Sequence, residues 1–506
     1  MSMKPIRDIV IVGGGTAGWM AAAAFAKILK GAYSVRLVES DAIGTIGVGE
    51  ATIPHIRNFN AALEIDEDEF VRATQGTFKL GIQFVNWGRQ GDSYIHGFGS
   101  VGADFAGLPF QHHWLRRRQA GAPGALGTLD PYSINTAAAL AGKFMPPRTD
   151  MTNSPLSQIG YAYHFDAGLY ARFLRAYSEQ RGVRRTEGRI NDVLRREDGA
   201  IDALVLDGGE TVRGDFFIDC TGLAGLLIEK TLGAGYDDWG HWLLCDRAIA
   251  VPCASVQPLL PYTRATAHAA GWQWRIPLQH RIGNGHVFSS RFMDEDQAKA
   301  ILMDNLDGEA LAEPRTIRFT PGRRKRFWSH NCVAVGLSAG FFEPIESTNI
   351  HLIQTAISRI INFFPHAGFD PADIAEYNAQ THVEYERVRD FVVLHYKATE
   401  RDDSPFWNHV RAMEVPDTLM RRIEVYRSSG RVFRDGNELF AEPSWLQVLQ
   451  GQRIEPRAHH PLAALTPDAE AEAFLANIRA TIAKCVAVMP AHADFIAARC
   501  KAGPPA

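Results

Sequence analysis

Gly13, Gly15 and Gly18 form a G-x-G-x-x-G run, and a carboxylate, Glu39, follows about 20 residues on. Residues of these types at this spacing can hold a dinucleotide. The first glycine permits a sharp turn, the second lets a pyrophosphate approach the backbone, and the third lets a helix pack closely on a strand. The start of that helix offers unpaired N–H groups and a partial positive charge to the phosphates, and the acid can take ribose hydroxyls. A second glycine-rich turn, Ile46-Gly47-Val48-Gly49-Glu50-Ala51-Thr52-Ile53-Pro54, comes directly after and is placed for further cofactor contact. A different chemistry is suggested by Gly336-Leu337-Ser338-Ala339-Gly340, which matches the G-x-S-x-G nucleophile elbow of serine hydrolases. No helix-forming run opens after Ser338, Pro344 interrupts, and no HGGG-type oxyanion loop is present. Ser338 therefore reads as a structural serine.

The elements that must position these groups follow from the pattern. Ile9 to Val12 reads as a buried strand, Met20 to Leu29 as an Ala-rich helix, and Ser34 to Val38 as a second strand ending at Glu39. A helix is predicted over Ile56 to Leu63. Thr77 to Phe84 alternates like a half-buried strand, with Phe78, Leu80, Ile82 and Phe84 on one face. Lys79 falls on the other, and spacing alone makes it a solvated lysine. Residues 100–155 are rich in Gly, Pro and Ala and read as loops with short helices. A helix starts at Phe165-Asp166, with Asp166 as N-cap, Leu169, Phe173, Leu174 and Tyr177 on one face, and Gly182 ending it. Short strands at Gly188 to Val193, Ala203 to Leu206 and Phe216 to Asp219 then form a meander, which FAD-binding domains place after their first nucleotide unit. Trp272, Trp274 and Ile276 share one face of a strand, which by spacing is a packing stripe, and Asn284-Gly285 reads as a hairpin turn toward His286 to Ser290. A buried strand at Asn331 to Gly336 precedes a mainly helical remainder, with helix signals near Ile353 to Phe363, Ile374 to Tyr396 and Ala469 to Ala487.

Composition narrows the class. A chain of 506 residues exceeds one ordinary core, and 46% hydrophobic with 22% charged residues is a globular composition. A formal charge of −4 gives no global field for nucleic acid. Arg116-Arg117-Arg118 and Arg323-Arg324-Lys325-Arg326 read as solvated loops. Cys220, Cys245, Cys253, Cys332, Cys485 and Cys500 lack metal or paired spacing, which argues against a metal site or disulfide framework and fits a cytoplasmic protein. Met1 to Arg7 carries no signal-peptide pattern, and no apolar run is long enough to span a membrane.

Taken together these stretches resemble the flavin-dependent halogenases, the tryptophan halogenase family, over nearly the whole chain to about residue 410. The resemblance rests on Gly13-Gly14-Gly15-Thr16-Ala17-Gly18-Trp19, the Gly47 to Pro54 turn, Phe78-Lys79, His164-Phe165-Asp166-Ala167 and Trp272-x-Trp274-x-Ile276-Pro277. It continues through Glu343-Pro344-Ile345-Glu346-Ser347-Thr348 and Asp402-Asp403-Ser404-Pro405-Phe406-Trp407. The two-tryptophan motif is the specific one, since related flavin hydroxylases share the glycines and lack it.

The resemblance implies an α/β fold: an FAD-binding Rossmann-like domain of the glutathione-reductase/flavin-monooxygenase type with a mostly helical substrate domain. The expected division is 1–100 and 155–390 for the flavin domain, and 101–154 with 391–506 for the helical part. It further implies FAD contacts from Gly13, Gly15, Thr16, Ala17, Gly18, Glu39, Gly49, Glu50, Ala51, Val193, Leu337 and Ile350. Reduced FAD would come from a separate flavin reductase by diffusion and act with O2 and a halide ion, chloride or bromide. Hypohalous acid would reach Lys79, with Glu346 stabilising the ring cation and taking its proton. Thr348 and Asn349 would form the halide site, with Asn349 replacing the family's usual glycine and tolerating left-handed backbone. Trp272, Trp274, Ile276 and Pro277 would line the flavin side, and His96, Phe98 and Trp445 would hold an aromatic substrate. The segment Asn437 to Gln447 is shorter than the one that grips the amino-acid tail in tryptophan-specific members, so free indole or another indole derivative is the expected substrate. A homodimer is compatible with this reading. The alternatives are a flavin-dependent monooxygenase hydroxylating an aromatic substrate and a non-catalytic flavoprotein scaffold. The tryptophan pair counts against the first, and Lys79 with Glu346 against the second.

Overall fold

Four β-branched residues in succession offer no polar face, so Ile9 to Val12 belongs inside a sheet covered on both sides. In the computed structural model, which describes residues 5–43, 49–121 and 127–504, this run is the strand Asp8–Val12. It sits in a six-stranded sheet ordered Trp328–Ser329, Cys332–Ala334, Phe216–Asp219, Asp8–Val12, Ser34–Glu39, Arg184–Glu187. Every neighbouring pair is parallel except the first. The helix Thr16–Leu29 covers this sheet and buries Ala21 to Ala24. Gly18 is required there, because any Cβ would overlap the Gly13 carbonyl oxygen. Met1 to Lys4, the stretch 122–126, and Ile46, Gly47 and Val48 of the second glycine turn lie outside the described residues.

A second, seven-stranded sheet stands beside the first, ordered Arg315–Arg318, Arg247–Ala254, Arg281–Phe288, Gly271–Pro277, Thr263–His268, Gly81–Val85, Ser93–Gly97. A small sheet of Gly49–Ala51, Ala162–Asp166 and Thr77–Lys79 lies against it, and the meander forms its own three-stranded sheet. The helix expected at Asp166 runs Ala167–Glu179, with the Asp166 carboxylate accepting from the Leu169 N–H at 3.0 Å. The later helices are Asn349–Asn362, Pro371–Lys397 and Asp468–Ala487, close to the predicted spans.

Four expectations are corrected. Thr77 to Phe84 is not one strand: it breaks at Leu80, and Thr77–Lys79 and Gly81–Val85 join different sheets. Between two sheets no face is left to solvent, so Lys79, read as solvated from its spacing, is fully buried. Asn284-Gly285 is not a turn. It lies inside the continuous strand Arg281–Phe288, and the chain reverses at Leu278–His280, where the Leu278 N–H bonds to the Arg281 carbonyl at 2.9 Å. Gly285 pairs with Trp274, whose ring covers its backbone, so the glycine serves packing. Of the two basic runs, only Lys325 and Arg326 are exposed and outside regular structure, as a solvated loop would be. Arg116 to Arg118 lie on the helix Phe110–Ala120 and pair with Asp468, Glu472 and Glu455. Arg323 and Arg324 are buried in a strand and pair with Glu386 and Glu229. Burial of arginine demands such partners.

Because a Cβ on Gly285 would overlap the Trp274 ring, Gly285→Ala is predicted to destabilise the fold by about 1–3 kcal/mol. Thermal unfolding with near-ultraviolet tryptophan dichroism checks this. An unchanged Tm and spectrum would mean that Trp274 does not rest on Gly285.

Candidate active site

Lys79 has no exposed surface. Its ammonium donates to the Thr52 carbonyl at 2.9 Å and the Ser347 hydroxyl at 2.8 Å, and the Phe98 ring centre lies 5.4 Å away. Burial in this setting lowers its pKa to about 7, against the opposing pull of Glu346. Ser347 itself stands at φ +58°, a left-handed conformation that costs a non-glycine residue free energy and is held by its surroundings. Asn349 does not occupy that conformation. It is the first residue of the helix Asn349–Asn362, so its proposed tolerance of left-handed backbone is not what the turn uses.

Glu346 closes the short 3-10 turn Pro344–Glu346 and is 2% exposed. Two histidines hold its carboxylate: His96 Nδ1 lies 2.9 Å from Oε2, and His395 Nε2 lies 2.5 Å from Oε1. Burial and the neighbouring His96 hold His395 down to about 3. It is thus a neutral imidazole whose Nε2–H donates to the acid. One turn of chain earlier, Glu343 is fully buried. It accepts from the Trp272 indole N–H at 2.7 Å and from the Tyr396 hydroxyl, and burial raises its carboxyl to about 7.

The strand carrying the two tryptophans is tied to both of these groups. Trp272 bonds Glu343, while the Pro277 carbonyl at its other end accepts the Thr77 hydroxyl at 2.7 Å, two residues before Lys79. His164 donates through Nδ1 to the same Thr77 oxygen at 2.9 Å and accepts from Thr263 at Nε2. Gly49 crosses this strand beside Ile276, where there is little space for a side chain. Glu50 keeps part of its surface open, and desolvation by burial of the rest raises its carboxyl to about 7. Ala51 pairs with His164 in the small sheet.

At the glycine turn, residues 13–17 are half-buried and no side chain caps the helix Thr16–Leu29. A Cβ on Gly15 would meet no atom within 4 Å, which leaves the open approach that a pyrophosphate needs. Gly336 lies against Ala17, bringing Leu337 beside the same helix start, and the helix bearing Ile350 packs on both. Glu39 Oε1 takes the Arg185 guanidinium at 2.5 Å. These residues fit a flavin dinucleotide. Val193 is set apart on the meander sheet, opposite Leu204. Ser338 is buried, with its hydroxyl given to the Asp219 and Val335 carbonyls, and has no histidine partner.

On the other side of Glu346, His96 faces the rings of Phe391 at 5.7 Å and Phe440 at 6.4 Å. Trp445 lies one ring further from His96, edge-on to Phe391 at 4.9 Å, with its indole N–H on the Phe440 carbonyl. Among the described residues the Thr348 hydroxyl is buried without a hydrogen-bond partner, at the uncapped start of the helix Asn349–Asn362. Among the described residues no group of three or more His, Cys, Asp or Glu could hold a metal ion, and no helix is long and apolar enough to cross a membrane.

Sequence reasoning missed His395, Glu343, Ser347 and Thr52. His395 sits four residues after Phe391 on one helix face, a spacing that places both toward Glu346. Glu343 and Ser347 lie inside the motif that supplied Glu346. Thr52 contributes only its carbonyl, so no side-chain signal could have identified it.

The sequence and the fold recur in known proteins. The family model described as tryptophan halogenase matches residues 8–468. The tryptophan 6-halogenase SttH of Streptomyces toxytricini is 35% identical over 98% of this chain and 99% of its own. Among solved structures, the flavin-dependent halogenase Xcc4156 of Xanthomonas campestris has a TM-score of 0.95 at 51% identity, covering 99% of this chain and 100% of that one. BrvH, a flavin-dependent halogenase of Brevundimonas sp. BAL3, has a TM-score of 0.93 at 47% identity, covering 97% and 99%. A likeness of this extent, in sequence and in fold, makes the chain a member of the tryptophan halogenase family of flavin-dependent halogenases.

Proposed function

We propose that the enzyme halogenates the ring of free indole, or of an indole derivative without a charged amino-acid tail, through hypohalous acid delivered to Lys79. The observation that carries this reading is the complete burial of Lys79 beside Glu346. Reduced FAD, supplied by a separate reductase, would provide the reducing equivalents with which oxygen and a halide ion form hypohalous acid. Thr348 and the uncapped N–H groups from Asn349 onward would hold the halide. With a pKa of about 7, Lys79 is present in both forms near neutral pH. The ammonium can donate to the oxygen of hypohalous acid and polarise the halogen toward carbon. The free amine can instead attack the halogen: an N–halogen bond forms, the O–halogen bond breaks, and water leaves with the amine proton. In both routes the ring carbon takes the halogen, and Glu346, fixed by His96 and His395, accepts the proton released from it. Six free cysteines suit a cytoplasmic enzyme, and a homodimer is compatible with the reading.

The preference for a tail-free ring rests on Glu438, which could otherwise take the ammonium of an amino-acid tail. It is committed: Glu438 takes the Arg422 guanidinium through both oxygens, at 2.7 and 2.8 Å, while Arg434 is exposed and bonds the Glu438 carbonyl. An ammonium buried beside a carboxylate that is already paired would lack a partner of its own, which is costly.

Three outcomes are expected. Glu346→Gln should lower the rate of halogenation by about 10²–10⁴ with flavin binding retained; a loss under about threefold would return Glu346 to a structural role. With bromide, indole should be halogenated in preference to tryptophan when the two compete in one reaction, and efficient, regioselective halogenation of tryptophan would exclude a tail-free site. The third concerns stability. The folded pKa of Lys79, about 7, lies below its ordinary 10.5, so the unfolded chain binds more protons across that window. Stability therefore rises with pH from about 7 toward 10.5, and the cost of burial is fully present below about 7. Lys79→Met should raise Tm, by more at about pH 6 than at about pH 9, while abolishing halogenated product. A lower Tm at both would mean that the buried amine stabilises the fold.

A further inference from the structure

The strand Thr77–Lys79 is an edge strand. It pairs only with Ala162–Asp166, with Phe78 opposite Tyr163, and its other side faces the C-terminal end of the chain. Phe78 is fully buried, so an N–H on that side cannot turn to water and must find a partner inside the protein. The partner is His492, from the start of the helix His492–Arg499. Its Nε2 lies 3.1 Å from the Phe78 N–H, and its Nδ1 lies 2.9 Å from the Leu259 carbonyl. Those two contacts fix the tautomer: Nδ1 carries the proton and Nε2 accepts. Burial lowers the His492 pKa to about 4, in keeping with the neutral ring that this pairing needs.

We infer that His492 is a positioning residue for Lys79, setting the place of its amine through the Phe78 backbone, and that the C-terminal segment is part of the halogen-transfer site. This rests on the assignment of halogen transfer to Lys79. The same segment grips the surroundings of that strand at several points. Phe495 packs edge-on to Phe78 at 5.3 Å, while Phe144 stacks on Phe78 at 4.2 Å and is tied to the segment through the Pro490 carbonyl. Further along, Gln75 donates to the Gly503 carbonyl at 2.7 Å. Gln279, in the turn after the tryptophan strand, donates to the Gly76 and Cys500 carbonyls. The residues that lead into Lys79's strand are thereby held by the C-terminal segment. An edge strand of three residues has little register strength of its own, and the two bonds on Lys79 Nζ alone do not fix its backbone.

The experiment compares His492→Gln with His492→Asn. The glutamine amide oxygen can reach the position of Nε2 and accept the Phe78 N–H. The asparagine amide reaches only the position of Nδ1 and serves Leu259. A purely structural histidine would be replaced about equally well by either, so the difference between them reads the contact to Lys79's strand. Each variant, with the native enzyme and Lys79→Ala, is supplied with FAD, a reductase, oxygen, bromide and indole. Bromoindole formed is measured against oxidant captured by a chlorodimedone trap, alongside Tm. Misplacing a reacting group by about 1 Å can cost about 10²-fold. His492→Asn is therefore expected to lower the ratio of bromoindole to oxidant by about tenfold or more, and His492→Gln to restore most of it. Native ratios in both His492 variants, or equal losses that follow Tm, with Lys79→Ala inactive, would overturn the role of His492 alone. A native ratio in Lys79→Ala would overturn the assignment of Lys79 and this inference with it.

Discussion

The structure turns on holding one amine out of water. Lys79 is enclosed with oxygen acceptors from two distant loops, the Thr52 carbonyl and the Ser347 hydroxyl, and with Glu346 near enough to favour its charged form. Desolvation outweighs that attraction and brings the pKa to about 7. The arrangement costs stability and gains chemistry: an amine poised between its two forms can both donate a hydrogen bond and act as a nucleophile. Glu346 is treated in a complementary way. Two histidines hold it, one of them a neutral donor, so the carboxylate stays oriented inside the protein.

The remaining architecture links that pair to the cofactor cradle. The tryptophan strand reaches Glu343 at one end and Thr77 at the other, and Gly49 crosses it on the way from the glycine turn. One strand thereby ties the Glu343 carboxyl to the strand that carries Lys79. Gly285, where a side chain would displace Trp274, shows how closely this layer is filled.

Local pattern made much of this legible and misled at identifiable points. The nucleotide unit was readable because Ile9 to Val12, the three glycines and Glu39 each obey a rule that acts within a few residues. Lys79 was misread because period-2 spacing assigns one face to solvent, whereas its strand changes sheets at Leu80 and has no solvent face. Asn284-Gly285 was misread because the strongest local turn signal is also what remains when a tryptophan must lie flat on a strand. His395, Thr52 and His492 escape any local pattern: each acts across 27 residues of sequence or more, through a ring nitrogen or a carbonyl. The resemblance to a known family supplied the pairing of Lys79 with Glu346 that spacing alone could not.

Burial makes Lys79 titrate near neutrality, and nuclear magnetic resonance reads this directly. With 13C-labelled lysine and Lys79→Met to assign the signal, the Cε shift of Lys79 can be followed against pH in the intact enzyme. The expected midpoint is about 7, separate from every exposed lysine. A midpoint at the ordinary value of 10.5 would contradict it, since an amine that remains fully charged at neutral pH is not desolvated in the way this structure requires.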